Sequence, residues 1–216
     1  MLHEPKLLKT TEAAVVANVD VRQVDKLIDE GILPTELFVQ NHARRVLPGG
    51  CVAINFYVHT ADTLDAQLRR KAIATLVPRL RDLWAVNIDH HAWQKWATHN
   101  KFVIIDFDEV IADTRRRLAA LERAQEAVVS DPEILNGTPV LKGTRVPVYT
   151  VAAMLSEGIS HDEMLEDYPS LNKESLDLAT IYAKANPRRG RPSAQLKLPS
   201  GTRLETRKSF PRSKAQ

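Results

Sequence analysis

The residues of this 216-residue chain with the types and spacing to do chemistry fall into an acidic group and several cationic ones. Asp106, Asp108 and Glu109 place three carboxylates at the end of the apolar run Val103–Ile105. A strand running into a helix capped by Asp106 or Asp108 explains the same residues. Asp89, His90 and His91 are metal-ligating types, but adjacent residues rarely converge on one ion without further partners, so a polar loop is the expectation. The cationic groups point to nucleic acid. Arg22, Gln23 and Lys26 lie within five positions, and His42, Arg44 and Arg45 follow on a second segment. Arg and Gln side chains read base edges, and Lys and Arg neutralise phosphates. Residues 186–216 add nine basic side chains, among them Arg188, Arg189, Arg191, Arg203, Arg207 and Lys208, against the single acid Glu205. No catalytic residue, cofactor or metal site is assigned.

The formal net charge of +3 conceals how unevenly these charges are spread. Residues 41–81 carry seven basic and two acidic side chains, residues 126–185 four basic and ten acidic, and the tail a net +8. The tail also holds Pro187, Pro192, Pro199 and Pro211 with few large apolar residues, and is expected to stay disordered until it binds. With 44% hydrophobic residues the chain is long enough to bury a core without disulfides, and its one cysteine, Cys51, cannot form an internal bridge. The start, MLHEPKLLKTTEAAVV, lacks the features of a signal or transit peptide, and no stretch approaches 18 uninterrupted apolar residues. A soluble cytoplasmic protein without a membrane partner is expected.

The elements that must position these groups are mainly helical with small β elements. TTEAAVVANVDVRQVDKLIDEGIL predicts two short helices across a tight turn, capped by Thr11 and Asp20 and closed by Gly31. ELFVQNHARRVLPGGCVAINFYVH predicts two β runs around a basic segment and a Pro-Gly-Gly break, a wing. Residues 62–84 predict an amphipathic helix capped near Asp62 and kinked or split at Pro78. KFVIIDF predicts a buried strand, and a helix of about 18 residues is expected to follow it and end near Ser130. Beyond it, TPVL and TRVPV predict a hairpin with turns at Asn136-Gly137 and Lys142-Gly143. Three helices follow. The first starts at Thr150 and ends at Gly158, the second has a Ser160/Glu163 capping box, and the third is capped by Asn172 and ended by Asn186-Pro187. The expected units are a winged helix-turn-helix over 1–60, a helical connector with one strand over 61–125, a three-helix homeodomain-like unit preceded by the hairpin over 126–186, and the tail over 187–216.

Several segments resemble known families. The N-terminal helices with Gly31-Ile32-Leu33 and Arg44-Arg45 resemble the winged module of MerR-type regulators. The string DPEILNGTPVLKGTRVPV, followed by Gly158, Asp167-Tyr168-Pro169 and Tyr182-Ala183, resembles a family once known only as a domain of unknown function and now regarded as VapB-like antitoxins. That resemblance implies a dimerising helix-turn-helix domain, a PIN-like ribonuclease toxin as partner, and repression of the protein's own operon. VIIDFDEVIADT resembles the first motif of haloacid-dehalogenase-type phosphatases, which implies Asp106 as nucleophile and Asp108 as general acid beside Mg²⁺. Glu109 stands there where that fold has Gly, and no Gly-Asp-x-x-x-Asp motif follows. Pro187-Arg188-Arg189-Gly190-Arg191-Pro192 resembles the core of an AT-hook.

The expected function is an antitoxin that neutralises a PIN-like ribonuclease and represses its operon as a homodimer bound to operator DNA. A MerR-like regulator without a toxin is the alternative, and the phosphatase is the alternative of another class. Because the antitoxin-like segment is acidic, DNA contact is expected from Arg22, Gln23, Lys26, His42, Arg44 and Arg45. The tail is left to bind either an acidic toxin surface or DNA.

Overall fold

A computed structural model describes residues 7–83, 97–100 and 103–188. Strand β1 (Leu8–Lys9) leads into helix α1 (Thr10–Ala17), which turns at Asn18 into α2 (Val21–Asp29). Asn18 takes the left-handed conformation at φ 55°, and an asparagine side chain tolerates that region better than most. Asp20 caps α2 by accepting the Arg22 N–H at 2.8 Å, and Gly31, at φ +62°, closes it as expected. Thr11 does not cap α1. It lies inside the helix, and its hydroxyl donates to the Ala185 carbonyl at 2.6 Å.

A 3₁₀ turn (Thr35–Leu37) precedes β2 (Phe38–Gln40) and β3 (Arg44–Val46). These pair antiparallel, and β1 joins on the other side of β3 with Leu8 opposite Val46 and Lys9 opposite Arg45. The second expected β run is instead helix α3 (Pro48–His59). Proline suits the first helical position, where its missing N–H costs nothing, and Pro48 occupies it. The two glycines that suggested a break permit close packing: a Cβ on Gly49 would stand 1.9 Å from the Leu80 carbonyl oxygen, and one on Gly50 would stand 2.7 Å from that of Leu37.

Leu80 belongs to α4 (Ala66–Asp82), which Asp65 caps rather than Asp62, accepting the Leu68 N–H at 2.9 Å. The helix runs through Pro78 without splitting. β4 (Ala97–Asn100) and β5 (Val103–Asp106) form an antiparallel pair. The expected fully buried strand is therefore half-exposed: Ile105 is inward, but Ile104 is 61% exposed, because a two-stranded ribbon covers one face only. α5 (Asp108–Glu126) stops short of Ser130, since Val128–Val129 form β6 and pair with β7 (Val140–Leu141). On the other edge of β7, little of the ladder expected between TPVL and TRVPV forms. A single bridge, Val140 to Pro147, remains of that hairpin.

α6 (Val148–Ser156) begins just after Pro147, two residues before Thr150, and ends ahead of Gly158 at φ +93°. α7 (His161–Asp167) has the expected Ser160/Glu163 box, and α8 (Lys173–Ala185) has the Asn172 cap. Thus the described residues are mainly helical, with eight α-helices and small antiparallel sheets.

The larger core runs from Leu8 and Val16 through Phe56, Leu80 and Phe107 to Leu121, and it includes Ala185 at the end of α8. Phe56 and Phe107 meet in it with their rings tilted by 40° and ring centroids 4.4 Å apart. A smaller core of Leu141, Val148, Val151, Met164, Leu176 and Ala179 holds the C-terminal helices together. Helix α1 packs on both α5 and α8, so the end of the C-terminal segment closes over the N-terminal helices.

Candidate nucleic-acid interface

Helix α2 buries Val24, Leu27 and Ile28 and turns its charged residues outward. Arg22 and Lys26 are both exposed. Four residues apart, they share one helical face. Lys26 has Glu30 3.8 Å away, but both side chains are about half-exposed or more, and an exposed pair of this kind constrains little. Gln23 is more committed. Its side-chain oxygen accepts the Asp20 N–H at 2.9 Å and completes the cap of α2.

Arg44 is where the geometry departs most from a free DNA contact. From β3 its guanidinium reaches back to α2, donating to Asp25 at 3.2 Å and to Asp29. The hydrogen bond to Asp29 is the main reason its pKa lies above the ordinary arginine value. This straps the β2–β3 hairpin to α2 and neutralises two carboxylates that would otherwise flank Lys26 and repel phosphate. Arg45, on the next position of the central strand, donates to the Arg44 carbonyl at 3.2 Å, and His42 is exposed at the hairpin tip. The structure therefore ties Arg44 to α2, turns Gln23 to the cap, and leaves Arg22, Lys26 and His42 facing solvent. Asp25 and Asp29 are the partners that sequence reasoning missed. Their i, i+4 spacing on α2 was the available signal, since it stacks two acids on one face.

The positive segment that follows is also partly committed. Arg69 lies 4.1 Å over the Tyr57 ring and donates to the Tyr57 carbonyl, and Arg81 pairs with Asp82 at 2.9 Å. Arg70 and Lys71 remain exposed on α4. Arg188, at the base of the tail, lies 4.5 Å over the Tyr149 ring. Arg189, Arg191, Arg203, Arg207 and Lys208 lie outside the described residues, as do Asp89, His90 and His91.

At the alternative acidic site, Asp106 accepts the Asp108 N–H at 2.9 Å and leads the chain into α5. Among the described residues no three His, Cys, Asp or Glu side chains are grouped to hold a metal ion. Cys51 is fully buried, and burial pushes its thiol pKa up, so no reactive thiolate is presented. No described helix is long and apolar enough to cross a membrane.

The C-terminal helices present a different surface. An open groove of about 860 Å³ is bounded by α5, the end of α6, the start of α7 and α8, and is lined by Ala120, Arg123, Leu155, Ile159, His161 and Ile181. His161 of α7 and Asp177 of α8 approach to 3.3 Å, and Arg123 of α5 pairs with Glu174 of α8 at 3.0 Å.

Two comparisons bear on these surfaces. Residues 128–183, from β6 nearly to the end of α8, match the family described as protein of unknown function DUF433. Over 197 residues, 91% of this chain and 89% of the relative, the chain is 42% identical to the uncharacterized protein y4eO of Sinorhizobium fredii (strain NBRC 101917 / NGR234). The chain belongs to the family of y4eO. A match of that length spans α2, the β2–β3 hairpin and residues 128–183, so the likeness to y4eO takes in both surfaces. No solved structure matches the chain.

Proposed function

We propose that this protein is the antitoxin of a toxin–antitoxin pair: it binds DNA through α2 and the β2–β3 hairpin to repress its own operon, and it neutralises a PIN-like ribonuclease. The observation that carries the reading is the strapped hairpin. Arg44, bound to Asp25 and Asp29, ties the β2–β3 hairpin to a pair of helices meeting at a tight turn, which supports reading them together as a winged helix-turn-helix. Arg22 and Lys26 stay exposed near the start of the second helix, the part that enters a major groove in such units. In this reading the exposed His42 at the hairpin tip contacts the DNA backbone beside that groove.

Support for the antitoxin half comes from the C-terminal segment. Its Gly-x-Pro, Lys-Gly-Thr-Arg and Asp-Tyr-Pro motifs resemble VapB-like antitoxins, and the three short helices they punctuate form their own small core. Residues 126–185 carry ten acids against four bases, a composition suited to a protein partner or dimer contact and poorly suited to DNA.

Co-expression tests the reading. The neighbouring open reading frame should be toxic alone, should be rescued by this chain, and should co-purify with it. The pair or the free chain should also retard DNA from upstream of the operon. A neighbour that is harmless and unbound, with DNA still retarded, would leave a regulator without a toxin in its place.

A further inference from the structure

The open groove beside α8 combines an apolar floor with an acidic surround. Leu155, Ile159, Leu178 and Ile181 form the floor. Leu178 is buried, whereas Leu155, Ile159 and Ile181 are half-buried, so each of these three keeps apolar surface that a partner can cover. A second hollow of about 500 Å³, walled by α6 and the last turns of α8, shares Leu155 and Thr180 with the first. Joined through those two residues, the hollows follow α8 from Glu174 to Lys184. At about 1.5 Å per residue that is about 15 Å, nearly three turns of a helix laid alongside.

The walls select the occupant in two ways. The described residues that line the groove belong to helices α5, α6, α7 and α8, apart from Ile159 and Ser160 between α6 and α7. Helix backbone is already hydrogen-bonded along its own ladder and offers an extended segment little to pair with, whereas a helix brings its backbone groups satisfied. Charge sets the second condition. Residues 148–185 carry seven acidic side chains against Lys173 and Lys184. At the groove, Arg123 and His161 are each matched by an acid, Glu174 and Asp177, and Glu157 and Glu163 stand exposed nearby on the chain around Ile159. A second copy would set the same acidic surround against this one, and DNA would bring its phosphates, so like charges oppose both. The chain's own tail is basic, but its large apolar residues, Leu196, Leu198, Leu204 and Phe210, are not three or four positions apart and make no helical stripe.

We propose that this groove receives an amphipathic helix of a partner protein, with the helix's apolar stripe on Leu155, Ile159 and Ile181 and its basic flanks beside Glu174 and Asp177. The proposal rests on the reading of the C-terminal segment as the part that binds the ribonuclease, and it gives that contact a place.

The test uses the full chain and the co-expressed ribonuclease. Ser156 is exposed on the α6 wall, and a Ser156→Cys thiol there reports whether the groove is covered, since the native Cys51 is fully buried. It should react readily with a maleimide in the free chain and lose that reactivity in the complex. A second variant, Glu174→Lys with Asp177→Lys, reverses two exposed charges whose surface ion pairs contribute little to stability, so the fold is kept. It should bind the ribonuclease on the order of tenfold more weakly than the parent, with Glu174→Gln and Asp177→Asn together falling between. Unchanged affinity in the charge-reversed chain, or unchanged labelling in a complex that forms, overturns the groove and leaves the antitoxin reading intact. A Ser156→Cys thiol already blocked in the free chain also overturns it, the occupant then being a second copy if the chain has the mass of a dimer and the tail if it has that of a monomer. A ribonuclease that does not bind the parent overturns both.

Discussion

Substituting Gly49 by alanine tests the close approach of α3 to α4. The added Cβ would lie 1.9 Å from the Leu80 carbonyl oxygen and 2.6 Å from the Leu80 carbonyl carbon, whereas real Cβ atoms essentially never come within 3.0 Å of another heavy atom. The obstacle is helix backbone, which cannot swing aside as a side-chain tip can, so α3 and α4 must separate by more than an ångström near Leu80. A gap of 0.5–1 Å already removes about a quarter to a half of the attraction across a packed contact. Overpacking of this severity costs about 3 kcal/mol. Alanine recovers about 1 kcal/mol through its better helix propensity, leaving a net loss of about 2 kcal/mol. With a urea dependence of about 2 kcal/mol per molar, the unfolding midpoint followed by circular dichroism should fall by about 1 M. Gly50→Ala should cost less, because part of its overlap is with the Val46 side chain at 2.8 Å, which can shift. A Gly49→Ala protein as stable as the parent, or a reversed order of the two variants, would refute the packing of α3 on α4 described above.

Three further outcomes follow from particular contacts. Arg44→Gln removes the strap between β3 and α2, so amide hydrogens of Phe38–Val46 should exchange faster, and Asp25→Asn with Asp29→Asn should do the same; unchanged exchange would mean that the ion pairs do not hold the hairpin. Acid should destabilise the fold. Hydrogen bonds from Arg117 hold Asp113, and one from Arg81 holds Asp82, below the ordinary 3.8, while the Ser160 backbone and hydroxyl hold Glu163 below the ordinary 4.5. Groups with lowered folded-state values contribute above their unfolded values and lose that contribution as pH falls through the folded ones. The urea midpoint should thus be level down to about pH 5 and decline below it, and a rise on acidification would contradict the sign. Ser160→Ala removes the hydroxyl that accepts the Glu163 N–H at 3.2 Å and should cost about 1 kcal/mol in the same urea assay; no loss would show α7 indifferent to its cap.

Local signals in the sequence carried furthest where a side chain acts on its own backbone. Asp20, Ser160 and Asn172 all cap the helices their positions imply, and Gly31, Gly137, Gly143 and Gly158 all sit at positive φ in the turns they mark. They were less informative where the deciding contact is remote in sequence. Pro48-Gly49-Gly50 has the letters of a turn, but its use depends on Leu80, some 30 positions away. Val128–Val129 could continue α5 on periodicity, and only the arrival of Val140–Leu141 turns them into a strand. The candidate interface divides in the same way. Arg22 and Lys26 are exposed because α2 is amphipathic, which its sequence displays, whereas the engagement of Arg44 depends on the β2–β3 register that brings it over Asp25 and Asp29. Thr11 could pass for a cap until Ala185 supplied it with a tertiary partner.

The proposed function rests most directly on α2 meeting DNA, and a salt titration of that binding tests it. The full chain and an Arg22→Gln, Lys26→Gln variant should be titrated with duplex DNA from upstream of the operon between 50 and 200 mM salt. If both side chains neutralise phosphates, the slope of log K against log salt should become shallower by about 1.8, at about 0.9 per phosphate, with affinity falling in parallel. A variant that binds this DNA with the parent's affinity and slope would show that α2 does not face DNA.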